Sequence, residues 1–129
     1  MKRLFSIISA VCLGLMIYAC DGEGGSESLS WDECAVSYSL LEYFPEYDGD
    51  IENAYYVDDN EGETLMFCDY NVNRNNVEAF KDRLRSSGFI EEPSTGSTAY
   101  WYNNTGTYNL RVAIDDFDTY VIIELTILP

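Results

Sequence analysis

Histidine is absent from the 129 residues, and Lys plus Arg total only 7 against 23 Asp plus Glu, giving a formal net charge of −16. The first absence removes the commonest general base and a common metal ligand. The shortage of cations excludes nucleic acids and anionic lipid surfaces as electrostatic partners, because a field of this sign repels them. The length leaves no room for two ordinary domains. What is present is apolar surface: 47% hydrophobic and 15% aromatic residues offset the chain entropy that keeps highly charged sequences unfolded, so a packed core follows.

Lys2 and Arg3 precede a charge-free apolar run from Leu4 to Ala19, the order a secretion signal needs to orient and insert. At 1.5 Å per residue that run spans about 24 Å, short of the roughly 30 Å hydrocarbon core, so a permanent transmembrane helix is disfavoured. The run ends in Ile17-Tyr18-Ala19-Cys20, followed by Asp21-Gly22-Glu23. This resembles the lipobox of bacterial lipoproteins, although Tyr18 and Ile17 replace the small residue and Leu that are commoner there. The resemblance implies cleavage after residue 19, acylation of Cys20 and an anchor at the cell envelope outside the cytoplasm. Two or three acyl chains hold a protein on a membrane stably. Residues 21–30 are rich in glycine, serine and acid, and read as a tether with an end-to-end distance of roughly 17 Å.

The folded domain is expected over 31–129. Ser30-Trp31-Asp32-Glu33 has capping-box spacing, and Trp31, Cys34 or Ala35, Tyr38 and Leu41 continue an apolar stripe that Pro45 stops. Ile51–Val57 and Leu65–Tyr70 read as two strands around the turn 58–62. Asn75 is the expected cap of a second helix whose stripe is Val77, Phe80 and Leu84, with Gly88 at its left-handed C-terminal position. After Phe89 and Ile90, a connection through Pro93 leads to a strand over Thr98–Asn103. A second follows, with Tyr108, Leu110, Val112 and Ile114 on one face, and a third with Val121, Ile123, Leu125 and Ile127. The expected fold is α+β, order αββαβββ: one antiparallel sheet of about five strands with two helices on one face. The pattern over residues 44–128, with a helix ending in Ser87-Gly88-Phe89 before a meander, resembles small lipoprotein domains of uncharacterised function. That resemblance implies no activity.

Cys34 and Cys68 form an even pair in an exported domain and are disulfide candidates, with two buried free thiols as the alternative. A catalytic thiol is disfavoured without histidine or CxxC spacing. Acids cluster at Asp48-Gly49-Asp50-Ile51-Glu52, at 58–63 and at Asp115-Asp116-Phe117-Asp118. The first opens like a Ca²⁺ loop, but Asn53 and Asp59 stand where an EF-hand needs Gly and a bidentate Glu, so solvated turns are expected and no metal site is assigned. Tyr100-Trp101-Tyr102 must split between the two faces of a strand, which places at least one side of the triplet away from the core and makes it the candidate ligand or partner face. Arg74, Lys81, Arg83 and Arg85 lie in or beside one helix and read as solvated mixed-charge surface.

The expected function is that of a monomeric, lipid-anchored, non-catalytic interaction domain without cofactor, whose acidity favours a basic protein partner. The alternative is a carbohydrate- or calcium-binding envelope lipoprotein.

Overall fold

A computed structural model describes residues 28–93 and 96–129 of the chain. The leader and Cys20 lie outside the described residues. Among those described, no helix is long and apolar enough to cross a membrane.

Helix α1 (Trp31–Ser37) starts as its sequence requires: the Ser30 hydroxyl accepts from the Glu33 amide at 3.2 Å, and the Glu33 carboxylate accepts from the Ser30 amide at 2.8 Å. It is shorter than the apolar stripe implied. Tyr38 turns extended, and a separate 3-10 helix covers Ser39–Tyr43. The break lets Tyr38, Leu40 and Leu41 all reach the core, which one continuous helix face would not do.

Strands β1 (Glu52–Asp59) and β2 (Gly62–Asp69) form a hairpin. Helix α2 (Arg74–Ser86) follows, capped by Asn73 rather than Asn75: the Asn73 side chain accepts from the Asn75 amide at 3.0 Å. Gly88, at φ 99°, ends the helix as expected, and the Phe89 amide reaches back to the Leu84 carbonyl at 2.9 Å. Strands β4 (Thr98–Asn104), β5 (Asn109–Asp116) and β6 (Val121–Leu128) make the meander.

The sheet has six strands, not five. The additional strand is β3 (Ile90–Glu92), which pairs with β4 and makes the chain order αββαββββ. In space the strands run β1-β2-β6-β5-β4-β3, all antiparallel, so the last strand in sequence joins the N-terminal hairpin to the meander. Leu29, placed above in the tether, exchanges both backbone hydrogen bonds with Ile51 at 3.0 and 2.8 Å and packs on the core. The domain therefore begins by Leu29.

Strand alternation sorts the residues cleanly. Leu65, Phe67, Trp101, Val112, Ile123 and Leu125 face inward and join Trp31 and Cys34 of α1 and Val77, Phe80 and Leu84 of α2 in one buried cluster. Both helices cover that face.

Candidate functional site

Among the described residues, no helix lies on the opposite face of the sheet. The register lays its side chains out in rows. One row crosses the sheet as Tyr55, Met66, Glu124, Ala113, Tyr100 and Glu92; its neighbour runs Val57, Thr64, Thr126, Arg111, Tyr102 and Ile90. Much of this surface is apolar or aromatic. Tyr55 is 52% exposed, Ile90 74% and Tyr102 36%. Small residues form the floor: Ala113 and Thr126 are buried, and the Thr126 hydroxyl lies 3.0 Å from that of Thr64. Its aromatic and apolar residues form two patches, one on β1 and β2 and one on β3 and β4, with the Arg111–Glu124 pair between them, and exposed patches of this kind mark contact sites.

Above β1 and β2 the face dips into a trough of about 300 Å³. Tyr55, Val57, Thr64 and Met66 supply its walls, and Asp59, Glu61, Glu124 and Arg111 its charge. Arg111 sits 3.7 Å from Glu124, and its Nε atom is buried with no hydrogen-bond partner. The volume lies at the lower end of the range for small-ligand sites. Strand β1 brings Tyr55 here through a bulge: pairing shifts between Glu52 and Tyr55, and Asn53 takes a left-handed φ of 52°. The bulge is held from outside, since the Asn53 amide donates to the Tyr70 hydroxyl at 2.6 Å and Glu52 accepts from the Tyr70 backbone at 2.9 Å.

Of the expected partner face, Tyr100 and Tyr102 stand on this open side. Trp101 does not. It is fully buried on the helix side, with the Arg85 guanidinium 5.2 Å from its ring centroid, and it leaves the candidate set because alternation turns it into the core. Sequence reading missed Tyr55 and Met66, which meet across the β1–β2 hairpin, and Arg111, which joins them only through the pairing of β2 with β6 and of β6 with β5.

Cys34 and Cys68 are both free thiols. Cys34 is buried in the core on α1, whereas Cys68 alternates with Phe67 and faces the other side of the sheet, beside the Tyr70 hydroxyl. A bridge between them would have to pass through the sheet. Burial, with Glu33 adding to it, pushes the Cys34 thiol up to about 11.

The acidic turns serve the fold. Asp48 pairs with Arg83 at 2.9 Å, Asp59 accepts from the Glu61 amide at 2.9 Å, Asp115 accepts from the Ser97 hydroxyl at 2.8 Å, and Asp116 pairs with Arg74. Among the described residues no group of three or more carboxylates or thiols converges as a metal site. The helix cations are likewise engaged: Lys81 with Glu78 and Arg85 with Asp82, both one turn away. The excess acidity is thus spread over the surface rather than gathered at one centre. No family model, curated protein or solved structure matches the chain.

Proposed function

We propose that this chain is a lipid-anchored module of the bacterial envelope that works without catalysis, by binding a basic protein through the uncovered face of its sheet. The observation that carries the reading is the exposure of Tyr55, Tyr102 and Ile90 on a face that no helix among the described residues covers, in a chain of net charge −16. Exposed aromatics with polar tips supply contact area at low entropic cost, and the acid excess steers a cationic partner toward them. Anchoring rests on the sequence around Cys20 and places the domain outside the cytoplasm.

A photo-reactive amino acid placed at Tyr102, and separately at Asp82 on the exposed side of α2, tests the reading in the producing bacterium. The expected result is a cross-linked adduct with a protein of high isoelectric point from the Tyr102 position and none from Asp82. Adducts from Asp82 alone would move the interface to the helix layer. Intact mass of the detergent-extracted protein checks the anchor, since cleavage before Cys20 and acylation change it together.

A further inference from the structure

We infer that the trough above β1 and β2 is the specificity pocket of this interface and takes one arginine side chain of the basic partner; this rests on the reading just given. The trough combines three features at one spot. Tyr55 offers a half-exposed ring, Val57 and Met66 offer an apolar wall, and Asp59 and Glu61 offer carboxylates at the rim. A guanidinium has matching parts: a plane that stacks on a tyrosine, a three-carbon stem that lies on apolar surface, and a fork of donors for carboxylates. An ammonium has no plane to stack.

The charge count inside the trough points the same way. Glu124 is already engaged by Arg111 at 3.7 Å, so Asp59 and Glu61 are the carboxylates left to face an incoming group. One oxygen of Asp59 is held by the Glu61 amide, which fixes the turn between β1 and β2 and presents both side chains at the trough's end. A second copy of the chain is disfavoured as occupant, since it would bring the same acid excess to the contact.

Isothermal titration of the full chain with a short glycine-arginine peptide, its lysine twin and a neutral chitin tetrasaccharide tests this. The arginine peptide is expected to bind several-fold more tightly than the lysine twin, and the sugar not to compete. Tyr55→Ala and Glu61→Gln should each weaken the arginine peptide by about tenfold, and Asp82→Asn, which removes the same charge on the far side, by less than about twofold. Arg111→Gln, which frees Glu124, should strengthen it, while Arg85→Gln should not. Tyr55, Glu61, Asp82 and Arg85 are exposed at the surface and Arg111 is half-buried, and unchanged melting temperatures confirm folding. Equal losses in Glu61→Gln and Asp82→Asn would show diffuse attraction, overturning the pocket while sparing the acidic-surface reading. Failure of both peptides to bind at low salt would sink both readings, and Tyr55-dependent binding of the sugar would replace the occupant.

Discussion

The Tyr47 hydroxyl donates to the Asp69 carboxylate at 2.6 Å with both side chains buried, tying the loop before β1 to the end of β2. The Tyr47 ring also meets Phe80 of α2 edge-on, with centroids 5.5 Å apart, so one side chain joins loop, sheet and helix. Gly49 closes over this pair: a Cβ there would stand 2.3 Å from Asp69 Oδ2 and 2.6 Å from the Tyr47 ring.

Tyr47→Phe removes a hydrogen bond from a buried carboxylate and should cost about 2 kcal/mol, read as a lower urea midpoint at unchanged slope. Gly49→Ala should cost at least as much, because both atoms it would strike are held in the interior.

Trp101 and Tyr102 are adjacent yet occupy opposite sides of β4. Truncating Trp101 to alanine should cost about 3–5 kcal/mol as a buried aromatic. Tyr102→Ala should stay within about 0.5 kcal/mol in denaturation while weakening partner binding, which separates interface from core.

Stability should fall on the alkaline side. Burial raises the Cys34 thiol from 9.0 to about 11, and burial with hydrogen bonds to Asp69 and Glu63 raises the phenols of Tyr47 and Tyr56. All three are neutral when protonated, so the native state keeps protons that the unfolded chain releases. Their contribution is complete below pH 9 and is lost as pH climbs toward 11 and beyond. Urea midpoints measured across that window should decline, less steeply in Cys34→Ala.

The same burial separates the thiols. Under native conditions Cys68 should take up a thiol reagent well before Cys34, and peptide mapping should recover both unpaired. A mapped Cys34–Cys68 bridge would contradict their placement on opposite sides of the sheet.

Local signals in the sequence were strong where short-range chemistry decides structure. The Ser30–Glu33 box, the Val77-Phe80-Leu84 stripe, Gly88, and the alternation of β5 and β6 are each set by neighbours within a few residues. Strand β3 carries no signal in the sequence because its three residues are exposed and two are glutamates; it exists by pairing with β4 and has no apolar pattern of its own. The first helix is shorter than its pattern because the stripe through Leu41 fits a helix locally, while the core draws in Tyr38, Leu40 and Leu41 together. The trough was illegible for a different reason. Its walls come from β1 and β2 and its ion pair from β5 and β6, and only the long-range pairing of β2 with β6 brings them side by side.

Chemical-shift mapping of the labelled full chain with the glycine-arginine peptide tests most directly whether the bare sheet face is the contact surface. The expected result is that the Met66 methyl and the rings of Tyr55 and Tyr102 shift while Glu78 and Asp82 on α2 stay still. Shifts confined to α2, with Met66 and Tyr55 unmoved, would contradict the account.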